Sequence, residues 1–127
     1  MQDFRNLRVW EAAHQLSLKA YRLTATFPPD ERYGLTSQFR RAAVSIPIKI
    51  AEGCGRGSDA DFARFLQIAI GSAFEVEALF LIAKDLGFIN PQMSDEFVNQ
   101  LQDLKRRLNA FLQTVKSTAK TKILTNG

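Results

Sequence analysis

The stretch "IAEGCGRGSDADF", Ile50 to Phe62, decides how this chain folds. Three glycines stand at alternate positions, Gly53, Gly55 and Gly57, with Cys54 and Arg56 between them and Ser58 after them. Such a turn is either a phosphate cradle or the sharp connection between two long helices. A Walker loop needs a lysine directly after its last glycine and a strand before its first, and both are missing here. The dinucleotide fingerprint needs a further glycine where Ser58 stands, again behind a strand. The helical reading accounts for each residue instead. Gly53 and Gly55 are expected to take the left-handed geometry that ends one helix. Ser58 caps the next, with Asp61 three residues later completing a capping-box-like pair. Asp59 and Asp61 suit a helix N-terminus and repel phosphate.

Outward from this turn, helical periodicity extends in both directions. Before it, from about Leu35 to Gly53, Leu35, Phe39, Ala42, Ala43, Ile46 and Ile50 share one face. Gln38, Arg41, Ser45, Lys49 and Glu52 form a polar stripe opposite, and Pro47 is expected to kink the helix. After the turn, from Ser58 to about Leu86, Phe62, Phe65, Leu66, Ala69, Ala73, Val76, Phe80 and Ala83 make the main stripe. Ile68, Leu79, Ile82 and Leu86 make a second, and Ile70, Phe74 and Leu81 a third. A helix apolar on nearly every side is covered from more than one direction, so the surplus predicts self-association.

Two outer segments complete the pattern. The first runs from about Leu7 to Thr26 with Val9, Ala13, Leu16, Ala20, Leu23 and Phe27 in register, and stops at "FPPDE". The last starts near Ser94 and ends near Val115, with Phe97, Leu101, Leu104, Leu108, Phe111 and Val115 as its seam. Strand signals are nearly absent. Short connections predict an all-α, antiparallel up-down-up-down four-helix bundle over residues 1–117, with 118–127 a disordered basic tail.

A chain of 127 residues with 46% hydrophobic content fits one domain with a core. No apolar run long enough for a membrane span is evident, and the N-terminus lacks the apolar centre of a signal peptide. A single cysteine forms no intramolecular disulfide, which suits a cytoplasmic location. The net charge of +4 is unevenly placed: from Lys105 onward stand Lys105, Arg106, Arg107, Lys116, Lys120 and Lys122, with no acid. That segment attracts phosphate or acidic partners.

Catalytic constellations are incomplete. "EAAH", Glu11 to His14, is one E-x-x-H motif, whereas di-metal bundles use two, and His14 is the one histidine. Cys54 has Arg56 nearby but no base except the distant His14. Neither an enzyme nor a cofactor nor a metal site is expected. Glu75 projects among Ile68, Leu79, Ile82 and Leu86, where an unpaired carboxylate is costly. It is expected to pair with Arg41 or Lys49, and Arg41, Lys49, Glu52 and Glu75 together form a candidate polar network or subunit interface.

Several pieces together resemble a known family. They are Val9–Trp10, "FP" followed by "E.YGL" (Phe27 to Leu35), "Q.RRAA.SI" (Gln38 to Ile46), "IAEG..RGS" (Ile50 to Ser58), "F..FL.IA.GS..E" (Phe62 to Glu75) and Leu86–Gly87. In this order and spacing the chain resembles the bacterial four-helix-bundle proteins encoded by intervening sequences of 23S ribosomal RNA genes. Lys49 stands where that family often has asparagine. The resemblance implies a ring-shaped homo-oligomer, typically a pentamer. It also implies kinship with the accessory protein of diversity-generating retroelements, a basic pentamer that associates with a reverse transcriptase and binds nucleic acid.

Two functions follow as expectations. The first is a non-catalytic homo-oligomer that binds RNA or DNA, with Arg40, Arg56, Arg64, Lys105, Arg106, Arg107 and Lys116 as candidate contacts. The second is a scaffold or adaptor for another protein, with no nucleic-acid role. A salt-dependent affinity for nucleic acid discriminates between them.

Overall fold

A computed structural model of the chain describes residues 3–126, with side chains through Thr121. Four α-helices carry it: α1 (Arg8–Thr24), α2 (Leu35–Cys54), α3 (Asp59–Asp85) and α4 (Pro91–Asn126). Short 3-10 turns occupy Phe4–Asn6 and Pro29–Glu31, and there is no strand among the described residues.

Local chemistry sets most of the boundaries. α1 ends where Thr24 Oγ1 donates back to the Ala20 carbonyl at 2.8 Å, just ahead of Pro28 and Pro29. The turn that follows supplies a cap for α2, because Glu31 Oε2 accepts the Leu35 amide at 3.0 Å. Pro47 is buried within α2, and the helix continues past it to Cys54. α3 stops in a Schellman arrangement: Gly87, at φ 79°, donates to Lys84 and Phe88 donates to Ala83, each at 3.0 Å.

The last helix differs from expectation at both ends. It begins at Pro91 rather than near Ser94, because Asn90 Oδ1 accepts the Met93 amide at 2.9 Å and Pro91 fits the first turn. It also runs past Val115 to Asn126, across the segment expected to be a disordered tail. No Pro or Gly interrupts residues 92–126. Thr114, Thr118 and Thr121 hydroxyls donate to carbonyls one turn back, satisfying themselves without leaving helical geometry. Gly127 and the side chain of Lys122 lie outside the described residues.

The helices surround one core in cyclic order: α1 packs on α2 and α4, and α3 packs on α2 and α4. Every residue of the first segment's expected stripe is buried, as is the main stripe of α3. An aromatic chain runs through one end of the core. Phe27 meets Phe39 at 6.0 Å, Phe39 meets Phe97 at 5.6 Å, and Phe97 stacks on Phe80 at 5.3 Å. The α4 seam drifts from the expected one: Leu112, not Phe111, is fully buried after Leu108. A straight helix repeats every 3.6 residues, so a strict 3.5-residue pattern slips off the core over several turns. Phe111 moves to the flank and meets Phe62 edge-on at 5.6 Å.

Most of the surplus apolar side chains of α3 stay outside, although Leu79 is buried. Phe74, Leu81, Ile82 and Leu86 are each about half exposed, and Ile68 is exposed as well. By length and composition α3 is also apolar enough to cross a membrane, which corrects the expectation that no such run exists. A core helix passes the same test, and the buried stripe of α3 lies in this core.

Candidate functional site

The opening turn is built differently from the sequence expectation. Gly53 lies inside the last turn of α2 and is buried. A Cβ there would sit 2.7 Å from Phe65 Cβ and 2.9 Å from Phe62 Cδ1, so glycine lets the end of α2 lie directly against the start of α3. Gly55 closes α2 in right-handed geometry, at φ −86°, donating to the Ala51 and Glu52 carbonyls. The left-handed residue is Gly57, at φ 89°. Ser58 does cap α3, with Oγ accepting the Asp61 amide at 3.1 Å. Asp61 does not complete the pair by reaching back.

Its carboxylate instead gathers two candidate contact residues. Arg64 Nε donates to it at 3.0 Å and Arg56 Nε at 3.3 Å. The Arg64 hydrogen bond first, and the Arg56 one after it, hold the Asp61 carboxyl below its ordinary range. Both guanidinium groups also lie over the Phe65 ring, at 4.6 Å for Arg64 and 4.9 Å for Arg56, and Lys49 Nζ lies 5.9 Å from the same ring. A phosphate at this turn would compete with Asp61 for both arginines.

The remaining candidates divide by partner. Arg40 staples α2 to the end of α1: Nε donates to Thr24 Oγ1 at 2.7 Å, Nη2 donates to the Tyr21 carbonyl at 3.4 Å, and the guanidinium covers the Tyr21 ring at 4.6 Å. Lys105 reaches α3, where Nζ donates to Glu77 Oε1 at 2.8 Å and stands 4.3 Å from the Phe74 ring. Gln102 donates to the other Glu77 oxygen at 2.6 Å. The Lys105 hydrogen bond, aided by Gln102, lowers the Glu77 pKa against the opposing effect of burial. Arg107 and Arg106 share Asp103, at 2.8 and 3.5 Å. Lys116 and Lys120 are exposed on α4 and make no ion pair among the described residues.

The expected polar network separates into parts. Lys49 and Glu52 pair along α2 at 3.5 Å. Arg41 and Glu75 line one cleft of about 480 Å³ with Gln38 and Ser45, yet form no ion pair among the described residues. Ser45 and Ser72 hydroxyls meet at 2.9 Å, joining α2 to α3 beside it. Glu75 needs no partner for the reason that predicted one: of its apolar neighbours only Leu79 is buried, so the carboxylate faces solvent. Sequence reasoning passed over Glu77, the carboxylate that does cross between helices. Its signal was its place on the Ile70, Phe74, Leu81 stripe, which turns toward α4.

His14 stacks on Trp10 at 4.9 Å with the rings 9° apart. Burial, the largest effect, raises the Cys54 pKa and makes its thiol a poorer nucleophile at neutral pH. Among the described residues no group of His, Cys, Asp or Glu could hold a metal ion.

Comparison with known proteins matches this arrangement. A crystal structure of a protein of unknown function from the S23 ribosomal protein family of Bacteroides thetaiotaomicron VPI-5482 superposes with a TM-score of 0.76. It is 20% identical, and the match covers 83% of this chain and 95% of that one, a likeness of fold. No curated protein matches the chain. The model of the 23S rRNA-intervening sequence protein family matches residues 5–110. With the fold and most of the sequence in agreement, the chain belongs to the 23S rRNA-intervening sequence protein family.

Proposed function

We propose that this protein is a non-catalytic, homo-oligomeric four-helix bundle that binds nucleic acid, RNA in the first instance, through the basic end of α4. In this reading successive helices run up-down-up-down, as their short connections favour, and copies assemble into a ring of five through exposed apolar surface. The observation that carries the reading is the charge of α4 beyond Val115, the last buried residue of that helix among those described. Among the described residues Lys116 and Lys120 make no ion pair on this overhang, whereas the arginines of the α2–α3 turn are held by Asp61. Five copies of a +4 chain would multiply that modest patch.

Binding of this kind is mostly to phosphate and weakens steeply with salt. Fluorescence anisotropy with a labelled RNA at low and moderate salt tests it. Lys116→Ala and Lys120→Ala should each lower the slope of log K against log salt by about 0.7–0.9 per lost phosphate contact. Absence of binding even at low salt would refute the reading and favour the protein-binding scaffold, for which the exposed α3 side chains are the supporting observation.

A further inference from the structure

α1 and α4 pack side by side, and two clefts open along their seam. Arg8, at the start of α1, and Arg107, midway along α4, line both. The first cleft, of about 360 Å³, is mostly apolar. Leu7 and Val9 are buried in its floor, Phe111 is half-buried, and Ala110 and Thr114 form its α4 wall. Among the described residues no carboxylate lines it. The second, of about 390 Å³, adds Gln15 and Gln100 beside Glu11 and Asp103.

The cations here exceed what the acids take up. Arg8 forms no ion pair among the described residues. Glu11 accepts from Gln15 at 3.0 Å, and Asp103 is shared by Arg107 at 2.8 Å and Arg106 at 3.5 Å. Arg107 reaches Asp103 through Nε, which leaves its two outer nitrogens for a further acceptor. Both lining arginines are exposed. An acid-free apolar floor beside two guanidinium groups suits one nucleotide: arginine binds phosphate through paired hydrogen bonds, and a base has a flat apolar face to lay on the floor. A protein partner fits less well. Among the described residues none of the large exposed apolar side chains stands on α4, and buried anchors of that kind carry most protein interfaces.

We propose that the α1–α4 cleft holds one nucleotide of a single-stranded RNA, with its phosphate on Arg8 and Arg107 and its base on the floor of Leu7, Val9 and Phe111. The inference rests on the nucleic-acid reading and adds a contact site apart from the basic end of α4. Lys116 follows Arg107 by nine residues, about two and a half turns, and so stands on the opposite side of the helix.

Two added acids of equal charge test this. Ala110→Glu puts a carboxylate into the cleft, whereas Gln92→Glu adds one in the first turn of α4, eighteen residues earlier and about 27 Å away along the helix. Both positions are exposed, so neither change reaches the core. Fluorescence anisotropy with a labelled oligouridine is read at about 0.1 M salt, where charges beyond about 10 Å are largely screened. Ala110→Glu should weaken binding by about tenfold or more, and Gln92→Glu by less than about twofold. Arg8→Ala and Arg107→Ala should each lower the slope of log K against log salt by about 0.7. A fully paired RNA of the same length hides its bases and should bind the wild type more weakly. Equal effects of the two acids overturn the site, as do unchanged slopes, and duplex binding as tight as that of oligouridine overturns the base contact. If Lys116→Ala weakens binding and Ala110→Glu does not, the cleft falls and the basic end of α4 stands. A wild type that binds no RNA even at low salt brings down the nucleic-acid reading itself; labelled polyglutamate that binds and is lost in Ala110→Glu would then give the cleft to an acidic protein. Circular dichroism verifies folding, and Thr114→Glu replaces Ala110→Glu if helicity is lost.

Discussion

Alanine substitution at Gly53, Gly55 and Gly57 should produce three different outcomes within a single turn. At Gly53 the new methyl meets Phe65 Cβ at 2.7 Å and Phe62 Cδ1 at 2.9 Å. Phe65 Cβ is bonded to the backbone of α3 and cannot rotate away, so α2 and α3 must separate. Overpacking of this kind costs about 1–3 kcal/mol, and the gain in helix propensity returns about 1 kcal/mol of it. A net loss of up to about 2 kcal/mol is therefore expected, and Gly53→Val should lose more. At Gly55 a Cβ meets nothing closer than 3.6 Å, and φ is −86°, which alanine adopts without strain. Gly55→Ala should be neutral or stabilising by up to about 1 kcal/mol through a less free unfolded chain. At Gly57 space is open but φ is 89°, so Gly57→Ala should cost about 1–2 kcal/mol from the backbone alone. Urea unfolding followed by circular dichroism, at one fixed protein concentration so that association stays constant, measures all three. A Gly53→Ala protein more stable than the wild type would refute the close approach of α2 and α3. Loss of stability at Gly55 would refute the right-handed end of α2 and restore the assignment drawn from sequence.

Other perturbations separate structural from binding roles. Arg40→Ala should lose about 1–2 kcal/mol of stability, with no change in the salt slope of RNA binding, and Arg40→Lys should not rescue it because lysine lacks the planar fork. Leu112→Ala should cost about 2–5 kcal/mol in the same assay, while Phe111→Ala, on the flank, should cost clearly less. Glu77→Gln removes the negative charge facing Lys105 and one of the two acceptor oxygens shared by Lys105 and Gln102, and should lose about 1–2 kcal/mol at neutral pH. Glu77 has a folded-state pKa below its unfolded one, so its stabilisation is full above the unfolded value and is lost as pH falls through the folded value. The deficit of Glu77→Gln should therefore shrink on acidification, and a deficit constant with pH would contradict the ion pair.

Much of the architecture is legible in local spacing. The stripes from Val9 to Leu23 and from Phe62 to Ala83 repeat at the helical period, and each proved buried. "FPP", Ser58 and Gly87 punctuate the chain through effects that operate within one turn. Asn90–Pro91 carried an equally plain start signal that the reading from periodicity alone passed over. The candidate contacts were less legible. A cation is recognisable in sequence, but whether it is free depends on what stands across from it. Arg40, Arg56, Arg64 and Lys105 each found a partner or an aromatic ring, whereas Glu75, expected to be paired, stands in solvent.

What the sequence alone determined is the set of helices, their buried stripes, and the turn at "IAEGCGRGS" as a helix junction, because these depend on contacts three or four residues apart. Tertiary structure decided which glycine bends left, which residue continues the α4 seam, and which charges pair. Each of these depends on how far one helix slides and turns against its neighbour. The whole core sets that offset, and no single stretch records it.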